Sequence, residues 1–533
     1  MLYGCKKSSD NGRNADRRFR RAPLPVRFEE RQDHIGDQSL LSAIEENRRQ
    51  VSRSIEAKKK SRLGQFLTSQ SIAVFMASLF SDQGGHCRLL DAGAGIGSLS
   101  AAFLERWISG ELHFDAVDLV AFEIDSTLHP NLCHTFLQYA SLDNLRVQIL
   151  GDDFIHASVG SLTGDLFSHS LPPFTHAILN PPYKKLNSFS AHRLALRRVG
   201  IETVNLYSAF VALALAQMAP GGQLVAIIPR SFCNGPYYRP FRDFIFVRAA
   251  ICQMHLFESR SQAFKDEDVL QENIIILLER GGRQGPVTVS TSTDDTFARF
   301  SRHEYLFERI VSPDDPERFI HVPISPAHNV IDLSPSIRHP LADLGIKVST
   351  GPVVDFRVKE HLRAMPGPGT VPLLYPGHFI GQSATWPIAG MRKPNSIARN
   401  ADTEKWLYPT GFYCVVRRFS AKEEKRRVVA SMVDPRIFGD ATMLGFENHL
   451  NVFHDDRHGL PEPLARGLVV YLNTTAVDEH FRSFNGHTQV NATDLKLMKY
   501  PSREALIRLG MWAMRQGSLT QEQIDAKIGT LIT

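Results

Sequence analysis

Asn180-Pro181-Pro182-Tyr183 directly follows the apolar run HAIL, and its residue types are suited to chemistry at a strand end. Proline cannot donate to a β-ladder, so the strand must stop here, with the backbone fixed and its carbonyls free. The Asn180 side-chain oxygen and the Pro181 carbonyl are then two neighbouring acceptors. Such a pair can hold both hydrogens of an exocyclic amine. The amine of adenine is a poor nucleophile because its lone pair is delocalised into the ring, and two acceptors favour the tetrahedral nitrogen that restores it. Tyr183 would stack on the ring, and Pro182 would keep the segment rigid. No acid/base dyad is required before attack, since the amine keeps its protons until a methyl group has begun to transfer. The plainer reading of the same residues is a rigid strand stop with a packed tyrosine.

Upstream, three strand ends carry chemistry suited to a ligand. Asp91-Ala92-Gly93-Ala94-Gly95-Ile96-Gly97 follows the strand RLL and precedes an apolar helical pattern, where glycines let backbone approach a ligand closely. A tight turn alone would also need them. At the next strand end, Glu123-Ile124-Asp125 offers a carboxylate able to accept both hydroxyls of a ribose; Glu123 is the choice, with Ile124 against the adenine. Gly151-Asp152-Asp153-Phe154 adds a carboxylate for an adenine amino group. The chain has no G-x-x-x-x-G-K-[ST], and no Lys or Arg lies in the glycine loop, so nothing demands phosphate. An adenosine ligand without a pyrophosphate fits best, S-adenosyl-L-methionine being the natural example. No Cys/His spacing calls for a metal.

Gly64-Gln65-Phe66-Leu67-Thr68, DAGAGIG, FEID, GDDF and NPPY occur in that order. On these segments the chain from about Leu63 to Glu279 resembles the amino-group DNA methyltransferases, and among them the γ-class N6-adenine enzymes. The resemblance implies that Phe66 and Thr68 help hold the methionine part of the cofactor, Asp91 and the glycines its backbone, Glu123 the ribose, and Asp153 with Phe154 the adenine. Ser69 stands where the family often has proline. Gln262-Ala263-Phe264 looks like the position that supplies a second aromatic against a flipped base, although a lone phenylalanine is more often core. NPPY also occurs in enzymes that methylate protein glutamine or RNA bases.

These segments need a scaffold. Between Leu63 and Arg280, Val/Ile/Leu-rich runs (RLLDAG, FDAVDLVAFEID, LRVQIL, THAILN, QLVAIIP, AAICQMHLF, NIIILLE) alternate with helical patterns, which predicts a doubly wound, mostly parallel α/β sheet. By resemblance it is a seven-stranded methyltransferase sheet. The expected domains are a basic arm over residues 1–37, an amphipathic helix over 38–62, a methyltransferase domain over 63–284, a mixed α+β target-recognition domain over 285–500 and a helical segment over 501–533.

A stacked adenine cannot reach a strand end, so the base must rotate out of the duplex, and something must grip the DNA. The C-terminal domain is the candidate. Within it, Arg417 and Arg418 open a basic run, and Asn485, His487, Thr488 and Asn491 lie in a polar segment able to bond bases or phosphates. That segment reads equally well as a turn and helix cap, and the basic run as solvated charge. Glu447-Asn448-His449 in GFENHLNVFH is a comparable polar island.

The expected function is sequence-specific N6-adenine methylation of double-stranded DNA as the modification enzyme of a restriction-modification system, with a separate restriction endonuclease acting on the same site. The alternatives are an N4-cytosine, RNA or protein-amide methyltransferase, and a DNA-binding modification subunit that needs partners.

The 533 residues carry a net charge of +5, but residues 1–62 hold 16 Lys/Arg against 9 Asp/Glu, leaving about −2 for the rest. Charge therefore does not mark the catalytic or recognition segments as polyanion-binding. Six scattered cysteines, and no apolar run near the roughly 20 residues that span a bilayer, suggest a cytoplasmic protein with no membrane partner.

Overall fold

The computed structural model describes residues 40–54, 66–165, 171–257, 272–297, 299–313, 315–323, 334–420, 424–485 and 489–532. The basic arm, Phe264, His487 and Thr488 lie outside them. Strands β1 (Gly85–Ala92), β2 (Phe114–Phe122), β3 (Leu145–Leu150), β4 (Phe174–Leu179), β5 (Met218–Pro229), β6 (Ala249–Phe257), β7 (Asn273–Arg280), β8 (Val287–Ser292) and β9 (Ser301–Tyr305) form one sheet. Its order is β3-β2-β1-β4-β5-β7-β6-β8-β9. The first five strands in that order pair in parallel, and β7 is antiparallel to both neighbours. The chain reverses its winding between β1 and β4, which opens a crevice at the C-terminal ends of those strands.

Helices cover both faces, because the strands are apolar on both sides. Helices α2 (Gln70–Ser78), α3 (Ser98–Ile108) and α4 (His129–Leu137) pack one core, while α5 (Phe154–Thr163), α7 (Leu206–Gln217) and α8 (Arg239–Arg248) pack the other. Helix α1 (Leu40–Ser54) lies on the first face through Ile44, and its Glu45 carboxylate accepts from the Gln70 N–H at the start of α2, 3.0 Å away. The short helix α6 (Ala191–Arg198) follows the Asn180 segment.

Two expected boundaries shift. The expected boundary at residue 284 falls inside the sheet, since β8 pairs in parallel with β6 and β9 antiparallel with β8, extending the seven strands to nine. The C-terminal helices are not a separate segment either. Helices α9 (Glu462–Leu472), α10 (Thr475–Phe484), α11 (Ala492–Leu497), α12 (Arg503–Met514) and α13 (Gln521–Ile532) share one core with the strands Lys347–Thr350, Leu450–His454 and Tyr413–Arg417. Those three strands belong to a six-stranded sheet, and the same domain also holds a five-stranded sheet around Thr370–Leu374 and a two-stranded pairing of Ile337–His339 with Tyr500–Pro501. No described helix is long and apolar enough to cross a membrane.

Candidate active site

The glycine turn between β1 and α3 is forced into left-handed backbone: φ is +83° at Gly93, +60° at Gly95 and +87° at Gly97. The Gly93 and Ala94 N–H groups both donate to the Phe122 carbonyl, which ties the turn to the end of β2. A Cβ on Gly95 would meet Leu67 at 3.0 Å, and one on Gly93 would lie 3.8 Å from the Asn180 carbonyl. The turn, the segment preceding α2 and the end of β4 therefore converge.

Glu123 is buried at the end of β2. Its two carboxylate oxygens accept from the Gly95 N–H at 2.8 Å and the Asp125 N–H at 2.7 Å, which fixes the carboxylate beside the glycine turn. Burial raises its pKa against those two hydrogen bonds. Asp91 is fully buried at the end of β1, accepts from the Ser100 hydroxyl at 2.6 Å, and has its other oxygen, Oδ1, without a partner among the described residues. Burial pushes its carboxyl up to about 7, with Ser100 opposing and the Glu123 charge assisting. Ile124, beside Glu123, is 55% exposed, an open apolar face next to the carboxylate.

Asp153 caps α5 by accepting from the His156 N–H at 3.1 Å, and its second oxygen meets His192 Nε2 at 2.8 Å. Burial alone would raise the Asp153 pKa, but the His192 and His156 hydrogen bonds outweigh it and the net shift is downward. Phe154 differs from expectation. As the first residue of α5 it is buried between Phe122 and Phe210, with ring centroids at 5.1 and 4.9 Å, so its ring is core rather than an open face.

At the end of β4 the Asn180 amide nitrogen donates to the Phe66 carbonyl and to Thr68 Oγ1, both at 2.9 Å. These bonds fix which way the amide faces, so that its oxygen points away from Phe66 and Thr68. The Tyr183 hydroxyl lies 3.2 Å from both Asn180 Oδ1 and the Ile227 carbonyl of β5, and its one proton is shared between them. The Tyr183 ring sits 5.6 Å from that of Phe66. Pro181 is buried and Pro182 half-buried, as a rigid strand stop requires.

The expected DNA-facing residues fare less well. Asn485 is 1% exposed: its side-chain oxygen accepts from Arg427 at 2.8 Å, and its nitrogen donates to Asp494 at 2.9 Å and the Gln489 carbonyl at 3.1 Å. Asn491 is the N-cap of α11, in a capping box with Asp494. In the basic run, Arg417 pairs with Glu424, Arg427 is buried, and Arg426 bonds Gln521 and the Thr474 carbonyl. Arg418 bonds the Asn448 carbonyl at 3.2 Å and Gln489 at 3.1 Å. These polar groups had partners in the fold that the sequence does not announce.

Two contributions went unnoticed in the sequence. His192 grips Asp153 from helix α6, and no spacing in AHRLALRR marks it. Arg230, in the turn after β5, is buried against Glu272 at 2.8 Å and donates to the Ser483 carbonyl at 2.5 Å, joining the C-terminal domain to the C-terminal edge of the parallel strands.

Residues 152–264 match the model of the Eco57I restriction-modification methylase family. The type II methyltransferase M.BsuBI of Bacillus subtilis is 52% identical over 92% of this chain and 98% of its own length. M.PstI of Providencia stuartii, also a type II methyltransferase, is 41% identical over 88% of this chain and 92% of its own. Among solved structures, the DrdV-DNA complex aligns with a TM-score of 0.50 at 11% identity, covering 89% of this chain and 59% of that one, a likeness of fold. On the strength of the full-length relatives, the chain belongs to the type II DNA methyltransferases of restriction-modification systems.

Proposed function

We propose that the chain transfers the methyl group of S-adenosyl-L-methionine to the N6 amino group of an adenine rotated out of duplex DNA. The observation that carries this reading is the orientation of Asn180. Its nitrogen is spent on Phe66 and Thr68, so its oxygen remains the acceptor beside the Pro181 carbonyl. The two acceptors hold the amino hydrogens and draw the nitrogen lone pair out of the ring. Tyr183, tethered through its hydroxyl, offers its ring to the base, and Phe264 is the proposed second aromatic.

The cofactor supplies an electrophilic methyl group on a sulfonium. The residues present suit it. Glu123 sets a carboxylate at the end of β2 for a ribose diol, Ile124 offers an apolar face for adenine, and Asp153 a carboxylate for the adenine amine, while Asp91 brings a buried oxygen that has no partner among the described residues. Phe66 and Thr68, already bonded to Asn180, border both halves of the site. Once methylated, the amine nitrogen is cationic and sheds one of its two protons to water.

The C-terminal domain selects the sequence, and a separate endonuclease is the expected counterpart of the modification. Nucleoside analysis of DNA from a methylation-free host expressing the chain tests the reading. N6-methyladenine is expected; N4-methylcytosine, or no modified base, refutes it.

A further inference from the structure

In the C-terminal domain, Glu447 is fully buried and its carboxylate grips one residue twice. It accepts from the His449 N–H at 2.9 Å and from His449 Nδ1 at 2.5 Å. The imidazole itself is 43% exposed, and its Nε2 makes no hydrogen bond among the described residues. Phe419, 41% exposed, packs its ring 4.8 Å from that imidazole. Arg418 closes the patch: its N–H donates to the His449 carbonyl at 2.9 Å and its guanidinium is held by Asn448 and Gln489. The turn is shaped for this, since a Cβ on Gly351 would lie 2.3 Å from the Glu447 carbonyl.

The patch stands close to the junction of the two domains. Gln489 bridges to Phe419, Asn485 holds the Gln489 carbonyl, and two residues earlier Ser483 accepts from Arg230 at the C-terminal end of β5. That is the sheet edge that carries Asp91, Glu123, Asp153 and Asn180.

We propose that His449 is a specificity-determining residue, whose Nε2 contacts a base edge of the recognised duplex while Phe419 makes apolar contact beside it. This rests on the DNA-methylating function proposed above. Three features favour a base over a phosphate. The buried Glu447 charge beside the ring repels a phosphate rather than attracting it. The terminal nitrogens of the adjoining Arg418 guanidinium are held by protein acceptors, the Asn448 carbonyl and Gln489. Finally, the imidazole, held at Nδ1 by Glu447 and packed against the Phe419 ring, presents one polar atom in a fixed place, which suits direct readout, whereas phosphate contacts tolerate flexible cations.

The test is methylome sequencing of a methylation-free host expressing the full-length chain or its His449→Ala, His449→Gln or Phe419→Leu variants. The expected result is methylation that persists but spreads to sites differing at one position of the recognised sequence, discrimination there falling roughly 10- to 100-fold. An unchanged recognised sequence in the folded variants would overturn the proposal, as would a uniform loss of methylation across all sites. Cofactor binding by the purified variants identifies which are folded, and the exposed Phe419→Leu change provides a second reading should His449→Ala misfold. If wild type proves to methylate cytosine, the catalytic reading fails, while a loss of discrimination confined to one position would still support His449.

Discussion

The side-chain nitrogen of Asn180 donates to the hydroxyl of Thr68 at 2.9 Å, joining residues 112 positions apart in the chain. One comes from the segment before α2 and the other from the end of β4, so the two segments of the candidate site share a hydrogen bond. Replacing Thr68 with valine removes the acceptor and leaves the Asn180 side-chain nitrogen with the Phe66 carbonyl, while its oxygen keeps the Tyr183 hydroxyl. A net hydrogen bond is worth about 1 kcal/mol, so kcat should fall about five- to tenfold. Steady-state methylation of DNA by Thr68→Val checks this; an unchanged kcat means that the bond does not position the amide.

Tyr183 has two separable parts. Tyr183→Phe keeps the ring but frees Asn180 Oδ1 and the Ile227 carbonyl, and should cost about tenfold or less in kcat/KM. Tyr183→Ala also removes the stacking surface, worth about 1–3 kcal/mol per base, and should cost a further 10- to 100-fold, mainly in DNA binding. Titration of a duplex that carries 2-aminopurine at the target position distinguishes the two. Equal losses would contradict the assignment of stacking to the ring.

The Asp153–His192 pair predicts a pH dependence. The Asp153 hydrogen bond raises the His192 pKa, against burial and the nearby Lys184 charge, while the His156 ring lies tilted against it at 5.1 Å. A raised histidine contributes fully below its ordinary value of about 6.5 and loses that contribution as pH climbs through the raised value. Both side chains are partly exposed, so the effect is modest. Wild type should therefore bind S-adenosylmethionine about two- to fivefold more tightly than His192→Gln at pH 6, with the advantage vanishing in alkaline buffer. Calorimetric titration across that range is the check, and parallel pH profiles would count against it.

Arg230 and Glu272 are each 2% exposed, and Arg230 also reaches the Ser483 carbonyl. Arg230→Ala takes the guanidinium from beside a buried carboxylate and should cost about 3–5 kcal/mol in a urea melt. It should also loosen the C-terminal domain, so that DNA methylation falls more than cofactor binding in the residual folded protein. A loss below about 1 kcal/mol would show that water reaches Glu272.

The strand ends were legible because their chemistry is local: glycines for positive φ, a carboxylate at the end of β2, prolines that stop β4. Their convergence follows from parallel winding. What stayed hidden depends on partners distant in sequence. Phe154 was expected at the cofactor and lies in the core, because Phe122 and Phe210 close around it. Asn485 looked like a DNA contact and is a buried clasp between Arg427 and Asp494. Gly467 and Gly510 carry no visible signal, yet a Cβ on either would fall 1.9 Å from the Leu506 carbonyl or 1.7 Å from that of Pro463, so α9 and α12 pack this closely only with glycine.

The most direct measurement is transfer of tritiated methyl from S-adenosylmethionine to duplex DNA by the purified chain and by Asn180→Ala, with digestion and separation of the labelled nucleosides. Label in N6-methyladenine from wild type, and a loss of at least about a hundredfold in Asn180→Ala with cofactor binding retained, is the predicted result. Label in N4-methylcytosine, or full activity without the Asn180 amide, would contradict it.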